Sequence, residues 1–220
     1  MNTVQSSPSL RAKRSNPAPT APTIIEDSYT SRGISPVAGV DEAGRGPLAG
    51  PVVACAVILP AGLVVEGVND SKKLSEKRRQ ELAARIKSEA LAYAFGIVDV
   101  PMIEEINILQ ATLLAMKIAV EGLTTAPKMV LVDGNKLPTL PCEAVCIKKG
   151  DSASHLIAAA SILAKTKRDA IMLELHEKYP MYGFDKHKGY GTKTHRDAIA
   201  QHGLCPQHRP GFCRKALSLE

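Results

Sequence analysis

Four carboxylates, Asp41, Glu42, Asp133 and Asp151, stand where strand-like apolar runs of this chain give out. Carboxylates are hard oxygen ligands suited to Mg²⁺ or Mn²⁺. Asp41 and Glu42 follow the run Val37-Ala38-Gly39-Val40, and a glycine turn carrying one arginine, Gly44-Arg45-Gly46, comes next. Glycines on either side of an arginine let the backbone approach a phosphate while the guanidinium grips it. Metal ligands and a phosphate grip in one place point to phosphodiester chemistry. In open α/β sheets, sites form at the carboxyl ends of strands. If these strands are neighbours, the acids converge on one edge. Unit charges roughly 4 Å apart repel by about 4 kcal/mol at an effective dielectric of about 20. Cations would relieve that repulsion, which implies a divalent-metal site.

Each acid also has a plainer reading. Asp133 in Asp133-Gly134-Asn135 suits a turn, Asp151 suits a helix cap, and Asp41 and Glu42 suit a solvated strand end. Singly, the plainer readings win; together, at three strand ends beside glycine-rich turns, they favour the site.

Other residues could serve the same chemistry. Ser154, Ala158, Ser161 and Lys165 share one helical face just after Asp151. That face is either open to a phosphate backbone, with Lys165 pairing to it, or packed closely on a sheet. Lys72 and Lys73 either contact phosphates or are simply solvated. Tyr190 lies between two glycines in a loop, as a surface anchor or a substrate reader. His187, in the basic run Asp185-Lys186-His187-Lys188, is assigned no catalytic role. Phosphate contacts fix position without reading base sequence.

Strand and helix periodicity supplies the elements that would place these groups. Val37–Val40 and Pro51–Leu59 read as an antiparallel strand pair. Ser75–Ala90 reads as a surface helix capped by Ser75 and buried through Leu82, Ala83, Ile86 and Ala90. Leu91–Val98 alternates like a strand. Pro101 opens a long helix to about Glu121, with Ile103, Ile106, Leu109, Leu113 and Met116 as its inner face. Lys128–Val132 and Ala144–Ile147 are further strands, and a helix from Ser154 to Lys178 stops at Pro180. Residues 180–193 read as a loop, followed by a short helix near Thr194. This order indicates an α/β domain with a mixed sheet.

A length of 220 residues, 45% of them hydrophobic, suits one packed domain. No apolar run reaches about 18 residues, so no membrane span is expected. The net charge of +6 favours an anionic partner only weakly. Five cysteines with no CxxC pair fit a reducing compartment, and the expected location is cytoplasmic. His202, Cys205, His208 and Cys213 are zinc-ligand types, but structural sites usually keep tighter pair spacings. Residues 1–33, rich in Ser, Thr, Pro and Ala, read as a disordered amino-terminal arm, and 34–220 as the catalytic domain. The basic first half of that arm also resembles an organelle-targeting peptide, against which Glu26, Asp27 and its prolines weigh.

The string Asp41-Glu42-Ala43-Gly44-Arg45-Gly46-Pro47-Leu48-Ala49-Gly50 resembles the signature of the ribonuclease HII family. So do Asn69-Asp70-Ser71-Lys72-Lys73-Leu74, Val132-Asp133-Gly134-Asn135 and Lys149-Gly150-Asp151. Ala158-Ala159-Ala160-Ser161-Ile162-Leu163-Ala164-Lys165 and His187-Lys188-Gly189-Tyr190-Gly191-Thr192 complete an ordered set spanning 36–217. The resemblance implies a ribonuclease H-like fold, a five-stranded mixed sheet flanked by helices, plus a carboxyl-terminal helical region. It implies that Asp41, Glu42, Asp133 and Asp151 hold two divalent cations, Mg²⁺ or Mn²⁺. One ion would activate the attacking water and the other would stabilise the departing 3′-oxygen. The implied substrates are RNA–DNA hybrids and duplex DNA containing ribonucleotides, cut on the 5′ side of the ribonucleotide to leave 5′-phosphate and 3′-hydroxyl ends.

By the same resemblance, Gly44, Arg45, Gly46 and Tyr190 sense the 2′-hydroxyl; Lys72, Ser161 and Lys165 are read from their positions in the sequence as further substrate contacts. A monomer with no obligate protein partner is expected. The tail departs from the family's usual Arg-Arg-Ser-Phe-like string, having His208-Arg209-Pro210-Gly211-Phe212, which puts tail contacts to DNA in doubt. The carboxyl end shows no clear clamp-binding motif. The sister type, ribonuclease HIII, prefers longer RNA tracts and usually adds a folded amino-terminal domain, which residues 1–33 are too short and polar to supply. A non-catalytic nucleic-acid-binding module is the other alternative. Four acids near phosphates argue against it.

Overall fold

In the computed structural model, which describes residues 20–217, the apolar runs become five strands. They are β1 (Val37–Ala43), β2 (Val52–Ile58), β3 (Ala92–Val98), β4 (Met129–Asp133) and β5 (Glu143–Ile147). The order across the sheet is β3-β2-β1-β4-β5. The β1–β2 and β2–β3 pairs are antiparallel, whereas β1–β4 and β4–β5 are parallel. This is the mixed sheet expected from the sequence.

The helices are α1 (Ile24–Thr30), α2 (Glu76–Glu89), α3 (Val100–Glu121), α4 (Gly150–Ala153), α5 (His155–Lys178), α6 (Phe184–His187), α7 (Lys193–His202) and α8 (Pro210–Leu217). Polar caps fix where the longer ones begin. Ser75 accepts from the Arg78 amide, Asp99 from Met102, Ser154 from Ile157 and Thr192 from His195. Alternate strand residues face opposite layers. Val37, Cys55, Val57 and Leu131 pack with α2 and α5, while Ala38, Val40, Ala54, Ala56, Val130 and Val132 pack with α3. Both faces of β2 are therefore covered, and every residue in it is buried.

A single glycine lets α5 lie directly on the strand that carries Asp41. A Cβ added at Gly39 would stand 2.3 Å from the Leu156 carbonyl carbon and 2.6 Å from the Ile157 nitrogen, both backbone atoms. Gly39→Ala is expected to destabilise the fold by about 1–3 kcal/mol, as overpacking does. The check is the chemical denaturation midpoint; an unchanged midpoint would mean the helix can slide without cost.

Two sequence expectations need correcting. The first concerns α3, expected as one continuous amphipathic helix. Asn107 has φ 67 and ψ 163, which breaks it. The Asn107 carboxamide accepts from the Leu109 and Gln110 amides and so restarts the helix. Beyond the break the buried positions are Ala111, Thr112, Ala115, Met116, Ala119 and Val120, while Leu109 and Leu113 are half-buried. The periodicity was continuous in sequence, but the kink resets its phase.

The second concerns the arm expected over residues 1–33. Residues 1–19 lie outside the described residues, but 20–33 hold α1, so the packed domain begins before residue 34. Ala21, Ile25 and Tyr29 pack on the core. The Glu26 carboxylate accepts from the Leu156 amide at 3.1 Å, the Ala21 amide donates to Val68, and the His155 amide donates to Pro22. Glu26 falls within the segment expected as a disordered arm. Its partners are the unsatisfied amides that open α5, a long-range match that local composition does not reveal. The expected 180–193 loop likewise contains a short 3₁₀ turn at Pro180–Tyr182 and α6.

Candidate active site at the carboxyl edge of the sheet

Parallel pairing of β1 with β4 does the central positioning. Val40 is in register with Val132, so Asp41 and Asp133 follow on adjacent strands, on the face covered by α5. Asp133 then reaches the next element: its carboxylate accepts from the Gly150 amide at 2.6 Å, which draws α4 and Asp151 toward it. Gly150 permits this approach, since a Cβ there would meet Ile157 at 2.6 Å and the Asp133 carboxylate at 3.2 Å. Alternation puts Glu42 on the other face, at the strand end, where it pairs with Arg45 at 3.3 Å.

The acids feel one another. Burial pushes the Asp41 carboxyl well above the usual range, and the charges of Glu42 and Asp133 push it further. Glu42 is raised by burial and by Asp133, against the pull of Arg45. Asp151 is raised by burial, then by Asp70 and Asp133. Lys72 stands 3.9 Å from Asp151; burial alone would lower its ammonium, but Asp151, Asp41, Asp70 and Asp133 together raise it. The result is a partly buried excess of negative charge held mainly by oxygen donors, a donor set that suits a hard divalent cation. Among the described residues, no three carboxylate, imidazole or thiol groups are gathered closely enough to hold one ion as they stand.

The remaining candidates divide. Ser161 is turned inward: it is buried, its hydroxyl is 3.0 Å from that of Ser71, and its hydrogen-bonding influence works against the upward push on the Asp41 carboxyl. Lys165 donates to Asp169 at 2.6 Å, and Arg79 approaches the other oxygen of the same carboxylate at 3.8 Å, so Lys165 is held in an internal ion pair. Lys72 is on the acid cluster. Arg45 is half-exposed, and Tyr190, 46% exposed, lies beside the open side of Gly46. Gly44 instead faces inward. It has φ +100, and a Cβ on it would stand 2.2 Å from Nε of Arg168. His187 has both ring nitrogens engaged, Nε2 with the Tyr182 carbonyl and Nδ1 with the Gly189 amide.

Sequence reasoning passed over Arg168 and the inward role of Arg209. Both are fully buried, and both spread their guanidinium donors over carbonyls of the segment that follows β1, Arg168 reaching Lys188 as well. Arg168 donates to Ala49, Pro51 and Lys188, and Arg209 to Gly44, Arg45 and Gly50. Asp70 lies within the string Asn69-Asp70-Ser71-Lys72-Lys73-Leu74. It caps the 3₁₀ turn Ser71–Lys73 that presents Lys72. No local signal marked Arg168, which lies in the polar run Lys165-Thr166-Lys167-Arg168-Asp169, although an arginine that is buried requires partners.

The sequence model of the family described as Ribonuclease HII matches residues 38–215. The chain is similar to ribonuclease HII of Acetivibrio thermocellus, 52% identical over 194 residues that cover 88% of this chain and 76% of that one. It is also similar to ribonuclease HII of Idiomarina loihiensis, 56% identical over 176 residues, 80% of this chain and 94% of that one. Among solved structures, ribonuclease H2 from Pyrococcus horikoshii superposes with a TM-score of 0.66 at 26% identity, covering 83% of this chain and 97% of that chain.

Proposed function

The chain belongs to the ribonuclease HII family and is a hydrolase, an endoribonuclease of the ribonuclease H type. On that premise we propose that it cuts duplex DNA on the 5′ side of a single embedded ribonucleotide, and also cuts RNA–DNA hybrids, leaving 5′-phosphate and 3′-hydroxyl ends. The observation that carries this reading is the placement of Asp41 beside Asp133 on parallel strands, with the Arg45 turn and Tyr190 close to each other.

In this reading Asp41, Glu42, Asp133 and Asp151 hold two divalent ions, Mg²⁺ or Mn²⁺. When bound, such ions supply an activated water and stabilise charge on the departing 3′-oxygen. The mutual repulsion of the acids supports cation binding, and loading is expected to draw the carboxylates together. Arg45 and Lys72 attract the phosphate backbone. The backbone of Gly46 and the phenol of Tyr190 lie where a minor groove could reach them and sense the 2′-hydroxyl, the group that separates RNA from DNA. Gly44 enters through the shape it allows the turn. No obligate protein partner is expected, and the reducing cytoplasm remains the expected setting.

The test is a duplex carrying one ribonucleotide, incubated with Mg²⁺, with Mn²⁺ or with chelator, and the ends of any product mapped. Cleavage 5′ of the ribonucleotide only with metal supports the reading. A shifted band without cleavage in all arms would favour a binding module. Arg45→Ala is expected to lower selectivity for a single ribonucleotide over a longer ribonucleotide run by about fivefold, while stability moves by less than about 0.5 kcal/mol, as at most exposed sites. Unchanged selectivity would remove Arg45 from substrate reading.

A further inference from the structure

Three separate stretches of chain meet beneath the substrate-reading surface. The segment 207–209 forms a short bridge with 48–50: the Arg209 amide donates to Leu48, the Gly50 amide donates to Gln207, and Ala49 pairs with His208. The Leu48 amide in turn donates to Gly189, next to Tyr190. From this bridge two adjacent side chains reach in different directions. Arg209 holds the carbonyls of Gly44, Arg45 and Gly50, which shapes the glycine turn. His208 reaches the other way.

The direction of its hydrogen bonds follows from groups that can only donate or only accept. The Cys205 amide donates to Nδ1 of His208 at 2.9 Å, so a neutral His208 carries its proton on Nε2. That Nε2 lies 3.0 Å from Nε2 of His195, which therefore accepts. His195 then carries its proton on Nδ1 and donates it to the Tyr190 carbonyl at 2.9 Å. Burial pushes both imidazoles down to about 4, so both are neutral near pH 7 and the tautomers are determined. The His187 ring stacks on His195 with centroids 4.4 Å apart.

We propose that His208 and His195 are positioning residues that fix Tyr190 relative to the Gly44–Gly46 turn, and thereby set selectivity for an isolated ribonucleotide. The inference rests on the proposed reading of Tyr190. Neither imidazole touches the acids, so the relay acts on where the tyrosine stands and leaves the reacting centre alone. The departing tail motif thus works from inside the protein, through His208 and Arg209.

Two substitutions of one residue separate positioning from packing. His208→Gln places an amide N–H near the Nε2 position and can still donate to His195. His208→Asn places its oxygen near Nδ1 and satisfies only the Cys205 amide. The readout is the ratio of kcat/KM for a one-ribonucleotide duplex to that for a longer ribonucleotide run. His208→Asn is expected to lower the ratio about tenfold, in keeping with the cost of small misplacements, and His208→Gln to keep it near its original value. Nitrogen-15 NMR of the full chain should find the imidazole proton on Nδ1 of His195 and on Nε2 of His208. Tyr190→Ala is measured in parallel. If Tyr190→Ala lowers the ratio but both His208 variants leave it unchanged, the relay proposal fails and the reading of Tyr190 survives. If Tyr190→Ala also leaves the ratio unchanged, that reading fails and takes the proposal with it. A His195 proton on Nε2 would overturn the relay regardless of activity.

Discussion

Asp41→Asn is expected to lower kcat by at least about 10²–10³-fold at saturating Mg²⁺ or Mn²⁺, the scale of losing a main electrostatic contributor to the transition state. The same change should make the metal-free protein more stable. Asp41 is buried beside Glu42 and Asp133, and burial first and those charges second raise its carboxyl above the ordinary range. The folded state thus holds a proton that the unfolded chain releases near pH 4. Where the native state binds more protons, stability falls as pH rises. The metal-free protein should therefore lose stability from about pH 4 up to the raised value and stay lower above it. Asparagine keeps the shape and can still accept the bond from the Glu42 amide, but carries no charge to repel. Its expected gain is about 1 kcal/mol, or a rise of about 2–4 °C in Tm for a chain of this size. Added Mn²⁺ should raise the Tm of the unaltered protein more than that of the variant, because only a ligand bound to the native state stabilises it. Full turnover by the variant would sink the metal-site reading, and an unshifted or lowered metal-free Tm would show that the acids do not strain the fold.

Arg168→Ala should cost about 4 kcal/mol of stability, among the larger effects a single change produces. The guanidinium is 1% exposed and donates to the Ala49, Pro51 and Lys188 carbonyls at 3.0, 3.0 and 2.9 Å. Removal leaves three buried carbonyls without these donors and a void beneath the turn. Arg168→Lys should recover little, since one ammonium cannot span the planar fork. The glycines above it belong to the same fit. A Cβ at Gly44 would strike Nε of Arg168 at 2.2 Å, and one at Gly50 would strike the Met172 sulfur at 2.3 Å. The measurement is the urea midpoint at unchanged m-value. A loss under about 1 kcal/mol would mean that water replaces the guanidinium at those carbonyls.

The acids were legible in the sequence because their signal is local. A run of apolar β-formers ending in carboxylates announces itself over a few residues, at Val37–Glu42 and again at Met129–Asp133. The Ser75 cap lies within three residues of the amide it satisfies, so the start of α2 was readable too. The hidden features all depend on groups far apart in the chain. Glu26 bonds Leu156, Arg209 bonds Gly44, and Arg168 bonds Ala49. A polar residue looks alike on paper whether water or a distant carbonyl satisfies it. Asn107 escaped for a different reason, since its backbone break leaves the apolar spacing around it nearly intact.

Local pattern was thus sufficient for the mixed α/β architecture and for Asp41, Glu42 and Asp133 at strand ends, and the resemblance of ordered motifs for the family, whereas Asp151 lies in α4 beyond the end of β5. Which contacts brace those acids, and which hold the surface beside them, emerged only on folding. Ser161, a candidate phosphate contact, is buried against Ser71, and Lys165 is one partner of an internal ion pair. The tail became the anchor of the glycine turn and, through His208, of the Tyr190 loop. The reason is that periodicity assigns a residue to a face, whereas its partner there depends on which distant segments the sheet order and helix packing bring within hydrogen-bond reach.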